Sequence, residues 1–277
     1  ALAAGRVTRQ ELRTRFVKLH HNVYAPIGMP IDAAERARAA WLWSRREAAV
    51  AGLSAAALLG ARWLPGDAPA ELARTRATAA PGIVVHRGAI AGDELCLVQS
   101  VDCTTAARTA YDIGRRTSGD AAVVRIDSLL NATRCAPAAI AALAARYPGA
   151  RGTRQLRAAL DLVDGGAESP QETALRLVLI RAGLPRPVTQ IPVRDHRGTV
   201  VRRIDMGWPR YLVGVEYDGG QHWTDPDVHA EDIDRLEFLA ARGWLIVRVS
   251  SRQLRRSPGT VAERAGTALR QRGRTSP

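Results

Sequence analysis

Between residues 200 and 222 apolar and polar positions alternate in two runs, Val-Val-Arg-Arg-Ile-Asp-Met-Gly-Trp and Tyr-Leu-Val-Gly-Val-Glu-Tyr-Asp, parted by Trp208-Pro209-Arg210. A period of two is the mark of a strand, and the Pro-containing break predicts that the pair folds back as a β-hairpin. Strand side chains alternate between faces, so Leu212, Gly214, Glu216 and Asp218 are expected on one side and Val213, Val215 and Tyr217 on the other. Folding back brings Asp205 toward Glu216 and Asp218. Carboxylates crowded on an otherwise apolar hairpin are costly unless a cation neutralises them, which is the condition of a divalent-metal site. The plainer alternative makes Asp218-Gly219-Gly220 a turn and Glu216 an exposed strand residue.

The same reading extends in both directions. Thr8-x-x-Glu11 is a capping box that starts a helix running to about Arg15, and an extended run from Phe16 to Tyr24 follows. Gly5 marks a turn before that helix, so helix, turn, helix and strand pair come in the order of a winged helix. Arg6, Arg9, Gln10 and Arg13 are placed to meet DNA from the helix, and Lys18 and His21 from the wing. Solvated surface charge is the alternative. From Asp32 onward the chain is Ala-rich, with helices expected from Asp32 to Trp43, Glu47 to Leu59, Thr105 to Arg116 and Ala121 to Leu130. Strands are expected at Glu71 to Thr75, Ile83 to His86 and Leu95 to Val98; His86 reads as a surface or core histidine with no neighbouring ligand. Asp164-Gly165-Gly166-Ala167 is the best linker. Beyond it Ser169, Pro170 and Glu172 stand at N-cap, N1 and N3 of a helix that stops at Gly183. Val188 to Val193 is a strand carrying Gln190, Asp225 to Ala241 an amphipathic helix, Trp244 to Val249 the last strand, and the tail after Arg255 a basic, frayed end. The expectation is an α/β chain in three parts: a winged helix over 1–31, an α/β middle over 32–165, and a mixed sheet flanked by helices over 166–277.

Composition narrows the partner. The 277 residues are 46% apolar, enough for sizeable cores, and carry a formal net charge of +13. An acidic partner is implied, and with no stretch long and apolar enough for a membrane that partner is expected to be nucleic acid, with no membrane involved. Lys18 is the sole lysine among the 40 basic residues. Arginine suits bidentate phosphate recognition, and a GC-rich genome gives the same bias. Cys96, Cys103 and Cys135 are odd in number and lack CxxC spacing, so neither a disulfide framework nor a zinc site is indicated and a reducing cytoplasm fits. No secretory pattern opens the chain, which begins without Met and so leaves a preceding piece open.

Taken as an ordered set, Ser169-Pro170-x-Glu172, Asp205, Glu216-x-Asp218-Gly219, Gln221-His222, Asp232-x-x-Arg235 and Gly243-Trp244-x-x-x-Arg248 resemble the PD-(D/E)xK nuclease superfamily, in particular its Vsr-like branch. The resemblance covers about residues 166 to 255. It implies a restriction-endonuclease-like fold and Mg²⁺- or Mn²⁺-dependent hydrolysis of DNA phosphodiesters. Asp205, Glu216 and Asp218 would hold metal, and Glu172, Gln221 and His222 would face the site. The family's lysine is missing, and Asp218 stands in its place. Residues 1 to 165 resemble the antitoxin of AbiE-type toxin–antitoxin systems through Asn22-Val23-Tyr24, Gly52-Leu53-Ser54-Ala55-Ala56 and Thr105-Ala106-Ala107-Arg108-Thr109-Ala110-Tyr111-Asp112. That second likeness implies DNA binding and autoregulation without catalysis, and a cognate toxin protein as a possible partner. The oligomeric state is left open.

Overall fold

The computed structural model describes residues 7–75, 80–219 and 226–273. It is a mixed α/β protein that divides into two compact units, Ala1–Val163 and Asp164–Pro277.

In the first unit a short helix α1 (Arg9–Arg15) leads into a two-stranded antiparallel sheet, β1 (Phe16–His20) and β2 (Val23–Pro26). Thr8 and Glu11 form the expected reciprocal cap on α1. Alternate residues Val23 and Ala25 are buried, so β2 has one wet and one dry face. Helix α2 (Ala33–Trp43) follows, capped by Asp32.

Glu47 to Leu59 is not one helix. Ala49–Val50 forms strand β3, and helix α3 begins only at Gly52 (Gly52–Leu58). Gly52 has φ +54, and a Cβ there would lie 2.1 Å from the Glu71 carboxylate, so only glycine fits. Strands β4 (Ala70–Arg74), β5 (Ile83–Arg87), β6 (Leu95–Val98) and β7 (Val101–Thr104) complete a five-stranded mixed sheet in the order β5-β4-β3-β7-β6. Four helices close the unit: α4 (Ala106–Arg116), α5 (Asp120–Thr133), α6 (Pro137–Ala145) and α7 (Thr153–Leu160).

The second unit opens with helix α8 (Pro170–Arg181), whose Ser169 hydroxyl accepts from the Glu172 amide. Strands β8 (Val188–Arg194), β9 (Val200–Trp208) and β10 (Val213–Asp218) run antiparallel in turn. A 3-10 turn over Pro209–Tyr211 makes the predicted hairpin between the last two. After helix α9 (Pro226–Ala241), strand β11 (Leu245–Ser250) returns parallel to β10, giving the order β11-β10-β9-β8.

The tail is not frayed. Helix α10 (Ser251–Arg256) is capped by Ser250, and α11 (Pro258–Gln271) buries Val261, Ala262, Ala265, Ala268 and Leu269. Val261, Ala265, Ala268 and Leu269 join Leu175 and Leu179 of α8 and Met206, Trp208, Val213, Val215, Val247 and Val249 in one core. On the other side of the sheet Ile191, Val193 and Ile204 pack with Leu239 of α9. Where β9 crosses β10, Gly207 faces Gly214; a Cβ on Gly207 would lie 2.2 Å from the Val213 carbonyl oxygen, so the two backbones are in direct contact.

Candidate carboxylate site and basic surfaces

The strand pairing explains how a carboxylate site arises. The β9–β10 ladder holds for three residue pairs and stops at Met206–Val215, whereas the β10–β11 ladder continues to Asp218–Ser250. Past the last pair Asp205 takes over: its Oδ2 accepts from the Tyr217 amide at 2.8 Å, so a side chain satisfies a backbone donor that the ladder has released.

On the other edge of β9, Gln190 is the position opposite Asp205, and it drops out of the β8–β9 ladder with φ +50. Around this irregularity β9 changes face: Ile204 packs toward α9 and Met206 toward α8 and α11. The sequence carried no sign of this, because glutamine has no preference for the left-handed region.

The displaced Gln190 side chain donates to Glu172 Oε2 at 3.3 Å. Glu172 is nearly buried, and its carboxylate also accepts from the Glu168 amide at 2.9 Å and the Ser169 hydroxyl at 2.8 Å. Its capping role and its place beside Asp205 are therefore compatible. Glu216 is 7% exposed and pairs with Arg235 of α9 at 2.7 Å. The same Arg235 nitrogen donates to the Arg203 carbonyl at 3.0 Å, while Arg235 Nε is buried without a hydrogen-bond partner. Asp218 pairs with Arg248 at 2.8 Å; Arg248 is the register partner of Glu216 on β11.

The electrostatics follow from burial. Desolvation raises the Asp205 carboxyl to about 6; Glu216 and Glu168 push it further in that direction, and the Tyr217 amide and Arg235 oppose them. Glu172 is raised as well, first by burial and then by Asp205, against the hydrogen bonds from Glu168 and Ser169.

Asp205, Glu216 and Asp218 are not gathered as a set: among the described residues no three acidic, histidine or cysteine side chains are placed to hold one ion. Asp205 and Glu216 do fit a smaller role. Mg²⁺ is commonly held by one or two carboxylates, with water and phosphate oxygens supplying the rest. Burial that makes ionisation costly at Asp205 is the condition a divalent cation relieves. Gln221 and His222 lie outside the described residues, as does Arg6.

The expected DNA-binding side chains sit on the first unit. Arg9, Gln10 and Arg13 are exposed on α1, Lys18 is exposed on β1 and His21 in the turn after it. Among the described residues Arg9, Arg13 and Lys18 enter no ion pair.

No family model matches the chain, and no solved structure matches it. Two proteins of Mycobacterium tuberculosis do, described as uncharacterized protein MT2308 (strain CDC 1551 / Oshkosh) and uncharacterized protein Rv2248 (strain ATCC 25618 / H37Rv). Each is 34% identical over 188 residues, which is 68% of this chain and 68% of the relative. The chain belongs to their family.

In this member of the family two further polar groupings lie in the first unit. His86 is not without a neighbour: its Nε2 lies 2.6 Å from Glu71 Oε2, and Glu71 also accepts from the Leu53 amide at the start of α3. Buried Glu94, Arg108 and Asp112 form an ion-pair chain that reaches Arg115, Arg116, Arg146 and Tyr147. Every member has a charged or hydrogen-bonding partner, so the chain ties α4 to the 3-10 turn before β6 and to the end of α6, and serves the fold. Among the described residues no single helix is long and apolar enough to cross a membrane.

Proposed function

We propose that this protein binds DNA and that its second unit is an endonuclease-like domain hydrolysing phosphodiester bonds with Mg²⁺ or Mn²⁺. The observation that carries the reading is the gathering of Asp205, Glu216 and Glu172 where the β9–β10 ladder parts, beside the half-buried cation Arg235. It agrees with the order of motifs that resembles Vsr-like PD-(D/E)xK nucleases, and the exposed basic residues of α1 and β1 agree with a winged-helix DNA contact.

Asp205 and Glu216 would hold the ion. A bound divalent metal supplies a water of lowered pKa and neutralises charge that develops on phosphate. The chain's own groups do the rest: Glu172 and Gln190 fix the edge of the site, and Arg235 is placed to balance negative charge once Glu216 engages a cation. Cleavage of supercoiled, duplex and single-stranded DNA with Mg²⁺ or Mn²⁺, by wild type and Asp205→Ala, tests the proposal. Metal-dependent nicking lost in Asp205→Ala is expected; no cleavage of any form by the wild type refutes it.

A non-catalytic repressor or antitoxin is the second reading. It is favoured by one feature: Glu216 and Asp218 already have arginine partners, as an acid cluster retained for structure would. DNA binding without cleavage or metal uptake is its signature.

A further inference from the structure

The end of the second unit's sheet formed by β8 and β9 carries a concentration of positive charge that the carboxylate site does not explain. Arg194, Arg197, Arg202 and Arg203 are all exposed, and among the described residues none of them is in an ion pair. The one acid among them, Asp195, is turned inward on its own turn: its Oδ1 accepts from the Arg197 amide at 2.8 Å and the Thr199 amide at 2.9 Å. Together with the Gly198 amide on the Asp195 carbonyl and φ +82 at Gly198, these bonds close a tight tip. The carboxylate stabilises the turn, Arg194 donates to the Gly198 carbonyl at 2.7 Å and Arg202 to the Val201 carbonyl at 3.2 Å, and among the described residues none of the four guanidinium groups meets a carboxylate.

The ribbon is also held at its root. Arg235 of α9 donates to the Arg203 carbonyl on β9, and Arg242 donates to the Arg194 carbonyl on β8 at 3.0 Å, its guanidinium stacked 3.4 Å from the Phe238 ring. Helix α9 and the residue just after it thus grip both strands. Arg203 lies two residues before Asp205, and the arginine that grips its carbonyl is also the partner of Glu216, so the root of the ribbon is tied to the carboxylates.

We infer that the β8–β9 ribbon is a duplex-DNA contact that seats the phosphate backbone beside Asp205 and Glu216. The inference rests on the DNA reading above and adds to it a second, separate contact surface. The geometry suits B-form DNA: its major groove, about 12 Å wide, admits a two-stranded β-ribbon, and unpaired arginines are the side chains that meet phosphates and guanine edges. A-form RNA presents a deep, narrow major groove that excludes such a ribbon. Pro192, opposite Arg203, donates no backbone hydrogen bond there, in keeping with a strand at the sheet edge.

The test uses the full chain and a fluorescein-labelled 20-base-pair duplex, with affinity followed between 50 and 200 mM salt. The ribbon variant is Arg197→Ala with Arg202→Ala; the control is Arg252→Ala with Arg255→Ala, two exposed arginines of α10. Each lost phosphate contact lowers the slope of log affinity against log salt by about 0.9. Removing two should cut the slope by about 1.8, so the fourfold rise in salt weakens binding by roughly 12-fold less than in wild type. The control should keep the wild-type slope, and all three proteins should melt at the same temperature. An unchanged slope in the ribbon variant overturns the inference, and if Arg9→Ala with Arg13→Ala lowers it instead, the DNA reading survives on the first unit alone. Tighter wild-type binding to duplex RNA or single strands than to duplex DNA also overturns it. No binding of any nucleic acid by the wild type overturns both.

Discussion

Replacing Asp205 by Asn separates electrostatics from activity, because its outcome depends only on the folded chain. Burial, Glu216 and Glu168 lift the Asp205 carboxyl to about 6 from an ordinary 3.8. The folded state therefore holds this proton more tightly than the unfolded state does. Between about pH 4 and 6 the folded chain binds more protons, so the stabilisation present below the unfolded value is lost as pH rises through the folded value. A lift of about two units corresponds to roughly 3 kcal/mol of ionisation penalty above pH 6. Asn removes that penalty yet keeps an oxygen to accept from the Tyr217 amide, giving up only the charge assistance of that bond, about 1 kcal/mol. At pH 8 and without divalent ions, Asp205→Asn should be more stable than wild type by about 1 to 3 kcal/mol, and at pH 4 the two should coincide. Urea unfolding at both pH values measures this. An Asn variant less stable than wild type at pH 8 refutes the view of Asp205 as an under-neutralised buried acid. Millimolar Mn²⁺ should reverse the order by stabilising only the wild type.

Arg235→Ala removes the cation from Glu216, which is 7% exposed, and should cost about 2 to 3 kcal/mol in thermal or urea melts at pH 8; no loss would mean that the pair is a surface contact of little weight. Gly207→Ala places a methyl group 2.2 Å from the Val213 carbonyl oxygen and should destabilise the second unit by more than about 3 kcal/mol, with hydrogen exchange of the β9 and β10 amides rising together. Mn²⁺ competes with the Asp205 proton, so its calorimetric affinity should rise about tenfold per pH unit below pH 6 and level off above; a flat profile from pH 4.5 to 8 removes Asp205 from the ligand set.

What was legible in the sequence was what local chemistry determines. Ser169-Pro170-x-Glu172 announces a helix start because each residue fits one capping position, and α8 begins there. The hairpin around Pro209 is readable from its period of two, and its turn uses Leu212 at φ +52 to close. Gly52 falls inside the helix expected over Glu47 to Leu59, whereas its positive φ ends β3 and starts α3; helical spacing in an Ala-rich run hid a two-residue strand. The final helices were missed although Val261, Ala265, Ala268 and Leu269 recur at helical spacing after Ser257-Pro258, because a dense basic composition read as a tail. At the site, the proximity of Asp205 and Glu216 followed from the hairpin. The left-handed Gln190, the parting of the ladder and the two arginine partners depend on long-range pairing, which no local pattern encodes.

The missing lysine and the two arginines bear on each other. Asp218 stands where the resemblance expects a lysine, and its charge is met by Arg248, while Arg235 meets Glu216. A guanidinium does not deprotonate in a protein, so neither arginine can take a proton from water; each can only balance charge or donate hydrogen bonds. Under the proposed function, proton acceptance would fall to a carboxylate, and with Asp205 engaged by the ion the one left whose ionisation burial also makes costly is Glu172. A carboxylate whose pKa is raised is a better base than an ordinary one. On that proposal the arrangement would divide two tasks that a lysine and a pair of acids otherwise share: the carboxylates would handle protons and cations, and the fixed arginines anionic charge. Under the repressor reading the same division has no use, because a structural cluster gains nothing from keeping Asp205 buried beside Glu216 and Glu168 when Asn would satisfy the Tyr217 amide at lower cost.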